Sequence, residues 1–392
     1  MIKFDTLYEQ EHDSSFVKIK ILGIGGAGCN EINSMKKSGL EGVSGYVAAN
    51  SDMQSLRQSM ADCKIQLGVK ATKGLGCGAN PEIGRRATEE DIEQIMEQLG
   101  DADIVFVVAG MGGGTGSGGA PVVAKALKDR GILTIAVVTM PFSFEGRRRM
   151  NIAQDALETL KKDVDTLIVV PNEKLLNLVD RSTSMIESFE MINQLLMQSV
   201  KSVSSIISRA GHINVDFADL RAIMKGMGIA MMGTGSASGE NRAVHAAQKA
   251  ISSQLLENMD IKSARGVLLN ICGGPDLSLH EINDAANVIY DESNKDAHII
   301  LGSVIDPTMG DEIIVSVIAT GFTPVVVQPA HAEKAVTSVA KPTQEEKPVH
   351  EEKRLFVEPQ LARIMEENTN KSQDDSFEIP AYLRQQQDID VQ

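Results

Sequence analysis

The chain is short of cysteine and of positive charge, and each shortage excludes something. Four cysteines, Cys29, Cys63, Cys77 and Cys272, are scattered over 392 residues with no C-x-x-C pair and no metal-ligand spacing. That excludes a disulfide scaffold, leaves no legible metal site, and suggests a reducing compartment. The seven histidines are scattered as well. Lysine and arginine number 38 against 53 aspartates and glutamates, for a formal net charge of −15. No nucleic-acid partner is expected from such a balance, because phosphate neutralisation needs basic patches. No apolar run approaches membrane-spanning length, so direct membrane insertion is not expected. Met1–Ser15 is polar and mixed in charge, unlike a signal peptide. Three chemical signatures are missing too. The chain has no Gly-Lys dipeptide, hence no Walker loop, and neither an Asn-Lys-x-Asp nor a Gly-x-Ser-x-Gly segment.

Glycine, by contrast, is concentrated. Gly110–Gly119 reads Gly-Met-Gly-Gly-Gly-Thr-Gly-Ser-Gly-Gly, seven glycines in ten residues. Ile104–Val108 before it is a short apolar run that predicts a buried strand. Pro121 and the apolar stretch Val122–Leu127 after it predict a helix, with proline in the tolerant first turn. Strand, glycine loop and helix start, in that order, suit an anion held by free N–H groups. A flexible linker or a ligand-free tight turn are the plainer readings of the same glycines.

Along the chain, Phe16–Leu22 predicts a first strand, followed by Gly23-Ile24-Gly25-Gly26-Ala27-Gly28 and a helical stretch from Asn30. This matches G-x-G-x-x-G, a weak signal alone. Tyr46–Asp52 predicts a second strand, ending either in a ribose-binding acid or in ordinary turn formers. Lys73–Pro81 is a further glycine loop, and Glu82–Leu99 predicts one amphipathic helix. Strands are expected at Ile132–Val138 and Thr166–Val170. Alternating strands and helices imply an α/β fold: a Rossmann-like parallel sheet with ligand loops at the strand C-termini.

The pattern then changes. Ser184 with Glu187 forms a capping box ahead of apolar residues at helical spacing. A single helix over 184–209 would run roughly 39 Å. Asn214–Arg221 follows, with Asp216 and Asp219 on one face of a new helix. Capping alone is a sufficient reading of those two acids. Strands at Ile229–Met232, Gly266–Cys272, Ile299–Ile305 and Ile313–Ala319, with a helix at Arg242–Leu256, predict an α+β C-terminal domain. The expected organisation is a flexible N-terminus (1–15), an α/β domain (16–183), a central helix (184–209), the α+β domain (210–321), a disordered linker (322–373) and an apolar terminal peptide (374–392). That peptide is either a docking segment or a frayed tail.

Two functional classes fit: a dinucleotide-dependent oxidoreductase using the first loop and Asp52, and a nucleoside-triphosphate hydrolase using several loops on one phosphate chain. The hydrolase accounts for more, since a dinucleotide enzyme has no need of Gly110–Gly119 as well.

Gly112–Gly118 resembles the signature of the tubulin/FtsZ superfamily, with Ser117 in the tubulin form, and Asn214–Arg221 resembles the catalytic loop of its bacterial cell-division GTPases. Lys73–Pro81, Pro141–Arg149, Pro171-Asn172 and the tail Phe377–Arg384 resemble that branch too. The resemblance implies a GTP-binding, GTP-hydrolysing protein that polymerises head to tail into a septal ring, with Mg²⁺ as cofactor and a cytoplasmic, midcell location. Gly26, Ala27, Gly28, Cys29 and Asn30 would line the first phosphate loop, and Gly114, Thr115 and Gly116 would hold the β- and γ-phosphates. Glu145 and Arg149, otherwise plain surface charges, would lie at the ribose and base side, and Asn193 and Gln194 would face the guanine. Gln194 departs from the branch's usual aspartate, which implies weaker guanine selectivity or affinity. Asp216 and Asp219, supported by Asn214, would polarise the attacking water in the site of the next subunit. Phe377, Ile379, Pro380, Tyr382 and Leu383 would bind membrane-anchored division proteins.

Overall fold

The computed structural model describes residues 17–175, 182–208, 213, 215–253 and 261–322. Apart from Phe322, the expected linker (322–373) lies outside the described residues, as do the terminal peptide, Asn214 and residues 1–15. Among the described residues, ten strands form one sheet: β1 (Ile19–Ile24), β2 (Gly45–Asn50), β3 (Cys63–Gln66), β4 (Ile104–Gly110), β5 (Leu133–Met140), β6 (Thr166–Pro171), β7 (Gly228–Ala237), β8 (Gly266–Gly273), β9 (His298–Ile305) and β10 (Ile313–Thr320). The helices are α1 (Gly25–Lys37), α2 (Met53–Gln58), α3 (Val69–Thr72), α4 (Pro81–Glu90), α5 (Ile92–Leu99), α6 (Thr115–Asp129), α7 (Arg147–Asp163), α8 (Asn172–Leu175), α9 (Met185–Ser208), α10 (Phe217–Met224), α11 (Arg242–Ile251) and α12 (Leu279–Glu292).

The strand order is β3-β2-β1-β4-β5-β6-β7-β10-β8-β9. β3 through β7 run parallel, β10 is antiparallel to both β7 and β8, and β8 pairs parallel with β9. The first six strands have the doubly wound order, so the chain reverses direction across the sheet between β1 and β4. β4 is buried from Ile104 to Ala109. Helices cover both faces there, which is why its sequence shows no polar alternation.

The C-terminal strands extend the same sheet. Thr166, Leu167 and Ile168 of β6 pair with Gly228, Ile229 and Ala230 of β7. The expected α/β and α+β parts are therefore joined edge to edge. α9 reinforces the junction from one face. Its buried Ile192, Leu196, Val200 and Val203 enter a core with β1, β4 and β5 residues, each worth about 1.5–3 kcal/mol of apolar burial. Further along, Ser205 Oγ accepts from Asn270 Nδ2 of β8 at 3.2 Å. A separate core under α11 and α12 fills the C-terminal half.

Five local expectations change. α1 starts at Gly25, five residues before Asn30, and α6 starts at Thr115, so Pro121 sits inside the helix. The predicted helix over 82–99 is two helices. Asp91 leaves helical geometry at φ −114°, ψ 16°, and its carboxylate accepts the Gly68 N–H at 2.6 Å. β7 is ten residues long, well past the four expected. α12 was not anticipated, although Ser278 and Glu281 form a capping box ahead of Ile282, Ala285, Ala286 and Ile289. The helix following Ser184 stands as expected. Glu187 N donates to Ser184 Oγ and Ser184 N to the Glu187 carboxylate.

The C-terminal half is pinned by buried Arg242, which donates to Glu281 Oε1 at 2.6 Å and pairs with Asp276 at 2.8 Å. The guanidinium holds Glu281 down at about 2, against 4.5 ordinarily. A depressed carboxyl stabilises the fold above its unfolded value and loses that contribution as pH falls from about 4.5 toward 2. Glu281→Gln is expected to cost about 2–3 kcal/mol at pH 7. In denaturant titrations, the gap between wild type and variant should close across that acidic window.

Candidate functional site

A cavity of about 400 Å³ opens at the C-terminal ends of β1, β4, β5 and β6. It lies at the switch point between β1 and β4, where doubly wound sheets hold ligands. α1 and α6 both begin on it, and neither has a side-chain N-cap. By contrast, Asp52, Asn80, Asp216 and Ser278 cap α2, α4, α10 and α12. Two uncapped helix starts converging on one cavity leave backbone donors and two dipole ends for an anion.

The glycines divide into two jobs. A Cβ on Gly26 or Gly113 would meet nothing within 4 Å, so these backbones border open space. Others are glycine because backbones touch. A Cβ on Gly116 would stand 2.6 Å from the Gly110 oxygen, and one on Gly118 2.1 Å from the Pro81 oxygen. A Cβ on Gly84 of α4 would likewise stand 2.2 Å from the Gly114 oxygen. The second half of the glycine run thus seats α6 against α4. Thr115 lines the cavity, where its hydroxyl is held 2.6 Å from Ser51 Oγ.

The other end of the cavity is lined by side chains. Arg149 pairs with Glu145, whose Oε1 also accepts the Phe142 N–H at 3.0 Å. Phe189 is 43% exposed at the mouth and packs edge-on to Phe142 with ring centroids 5.8 Å apart. It presents a flat apolar face. Glu31 is 4% exposed. Burial alone pushes its carboxyl up to about 8. Donors brought against it would favour its ionised form and lower that value. In the amide orientation that satisfies its neighbours, Asn193 Nδ2 donates to Glu31 Oε1 at 2.6 Å and Oδ1 accepts from Ser34 Oγ at 3.1 Å. Glu31 Oε2 and Asn172 Oδ1 are buried without a hydrogen-bond partner, and both residues line the cavity. The arrangement offers backbone donors at one end and an aromatic face with unsatisfied acceptors at the other.

Residues 18–180 match the Tubulin/FtsZ family GTPase domain, and residues 228–323 match the FtsZ family C-terminal domain. An empty FtsZ dimer from M. jannaschii is 42% identical, with a TM-score of 0.75, over 79% of this chain and 89% of that one. The chain belongs to the tubulin/FtsZ family. GDP-bound CetZ1 from Haloferax volcanii is similar at 25% identity and TM-score 0.69, over 79% of this chain and 96% of that one. CetZ2 from the same organism, a GTPγS-bound protofilament, shares the fold at 24% identity and TM-score 0.66, over 79% of this chain and 94% of that one. The enzymatic class is GTPase, which sets aside the oxidoreductase reading. Asp52, its proposed ribose ligand, instead caps α2 through the Gln54 N–H at 2.9 Å.

Within this tubulin-like fold the expected site residues separate into two sets. Gly26, Ala27, Asn30, Gly114, Thr115, Gly116, Glu145, Arg149 and Asn193 line the cavity. Gly28, Cys29 and Gln194 do not. A Cβ on Gly28 would meet the Val108 oxygen at 2.5 Å, so that glycine serves the packing of α1 on β4. Cys29 is buried and faces Asn50, and burial pushes its thiol up to about 11. Gln194 lines an adjoining depression with Ser34, Lys37, Glu190 and Asn193, the last of which also lines the cavity. One residue along a helix is a rotation of about 100°, so Phe189, Ile192 and Asn193 share the face that Gln194 leaves. The inference of weak guanine selectivity from Gln194 loses its geometric basis. Sequence reading missed Glu31, Asn172 and Phe189 as cavity residues. Helical spacing from Asn193 was the available signal for Phe189.

Asp216 and Asp219 are exposed and far from the cavity of their own chain. Asp216 caps α10 through the Asp219 N–H at 2.7 Å. α10 docks at the opposite end of the sheet. Arg221 Nη2 donates to the Gly131 oxygen ahead of β5 at 3.1 Å, and Thr166 Oγ1, at the start of β6, donates to the Met224 oxygen at 2.6 Å. β5, whose other end meets the cavity, spans about 25 Å. Among the described residues, no group of three His, Cys, Asp or Glu is placed to hold a metal. No described helix is long and apolar enough to cross a membrane.

Proposed function

We propose that the cavity binds GTP and that hydrolysis is completed by a second copy of the chain, stacked head to tail. The observation that carries this reading is the placement of Asp216 and Asp219 at one end of the sheet and the cavity at the other. No bending of one chain brings them together, whereas translating a copy along the strand direction does. Such a heterologous contact leaves both ends open and propagates as a filament. The solved dimer of the M. jannaschii relative is consistent with self-association.

In this arrangement the starts of α1 and α6, with Gly26, Gly113, Gly114 and Thr115, hold the triphosphate. Arg149 and Glu145 lie along the sugar, and Phe189 and Asn193 meet the base. Asp216 and Asp219 of the next subunit polarise the attacking water, with Asn214 assigned the supporting role that the sequence resemblance implies. The phosphate end offers backbone N–H groups and a hydroxyl, a donor set that fits an ion carried in on phosphate oxygens and water rather than gripped by carboxylates. When bound, Mg²⁺ carried in this way would supply charge neutralisation on the phosphates. The protein's share is positioning and electrostatics.

The cellular part of the proposal rests on the family and on the tail sequence. The filament forms the division ring at midcell in the cytoplasm, and Phe377, Ile379, Pro380, Tyr382 and Leu383 dock on membrane-anchored division proteins. Sedimentation with GTP, GDP and EDTA tests the core of the reading. Pelleting is expected with GTP and Mg²⁺ and not with GDP or EDTA, and turnover per chain should rise above a threshold concentration. Turnover per chain that stays constant on dilution would overturn it.

A further inference from the structure

Resting on that reading, we propose that Glu31 determines base specificity, its Oε2 accepting a hydrogen bond from the donor edge of guanine. Three observations on different elements converge. Glu31 lies on the second turn of α1 and lines the cavity while almost fully buried. Its Oε1 is occupied by the Asn193 amide from α9, whose other end is taken by Ser34. Its Oε2 has no partner. Asn193 lines the cavity with its amide already spent on Glu31 and Ser34, and the acceptor left without a partner in that cluster belongs to Glu31. A base stacked on Phe189, which lines the same cavity as Glu31, would bring its edge to that oxygen once the buried carboxylate turns toward it. Guanine offers N1–H and a 2-amino group there, and adenine offers a bare N1 and a C–H. A buried oxygen that gains a partner from one base and faces a lone pair from the other discriminates strongly. Asn172 Oδ1, also unpartnered and lining the same cavity, supplies a second acceptor from the end of β6.

The test measures GTP and ATP affinity for the full chain, its Glu31→Gln and Glu31→Ala variants, and a Gln194→Asp control, each checked for a cooperative melt. The GTP-to-ATP preference is expected to fall about 10–100-fold in Glu31→Ala and by less in Glu31→Gln, which keeps an oxygen. Gln194→Asp should leave it unchanged. A preference retained in both folded Glu31 variants overturns the proposal while leaving the GTPase reading intact. A preference that collapses in Gln194→Asp and survives in Glu31→Ala also overturns it, and moves base reading to Gln194. Wild-type chain that binds no GTP would instead sink the GTP reading on which the proposal rests.

Discussion

Replacing Asp216 with asparagine is expected to leave GTP binding unchanged and to cut turnover about 10²–10³-fold, the scale for removing one group aimed at developing charge. Asparagine is the informative substitution because Asp216 has two jobs. Its Oδ1 caps α10 through the Asp219 N–H, and asparagine caps as well as aspartate does. Stability should therefore hold while activity falls, separating chemistry from capping. Asp216→Ala should lose the same activity and about 1 kcal/mol besides. Mixing sharpens the test. Wild-type chains held below their threshold concentration should gain turnover when Asp216→Asn chains are added, because the variant's intact cavity meets a wild-type Asp216. If the mixture does no more than sum its parts, the shared site is wrong.

The second large effect concerns two glycines five residues apart. Gly118→Ala should cost about 3 kcal/mol or more, which lowers Tm by about 5 °C or more for a domain of this size. The new methyl would sit 2.1 Å from the Pro81 oxygen and 2.6 Å from the Arg85 nitrogen. Both are backbone atoms of α4, so α4 must move away from α6. Gly113→Ala places its methyl in open space and should change stability by less than about 1 kcal/mol. It should weaken GTP binding instead, since that space borders the cavity. Paired melting curves and GTP titrations check both. Equal stability losses would show that the glycine run has a single role.

Gly110–Gly119 shows how far residues alone could carry the argument. Its composition announced a backbone-lined anion site between a strand and a helix, and the cavity is there. It did not reveal that Gly116 and Gly118 serve contacts with β4 and α4, because the atoms they avoid lie elsewhere in the chain. Asn193 and Gln194 make the same point. Adjacent in sequence, they were both expected at the base. The helix put Asn193 on the cavity and Gln194 on the adjoining depression only. Glu31 carried no signal at all. A glutamate on the second turn of a helix reads as surface charge, and its burial follows from the packing of α9 over α1.

The sequence by itself determined the secondary-structure alternation, the doubly wound half, the glycine loops and the long capped helix, all of which depend on residues near one another in the chain. Its specific motifs placed the chain in its family. Only the tertiary structure joined β6 to β7 in one sheet, buried Glu31 beside Asn193, and set Asp216 and Asp219 at the far end from the cavity. Those outcomes depend on which distant segments share space, and local propensity carries no information about that.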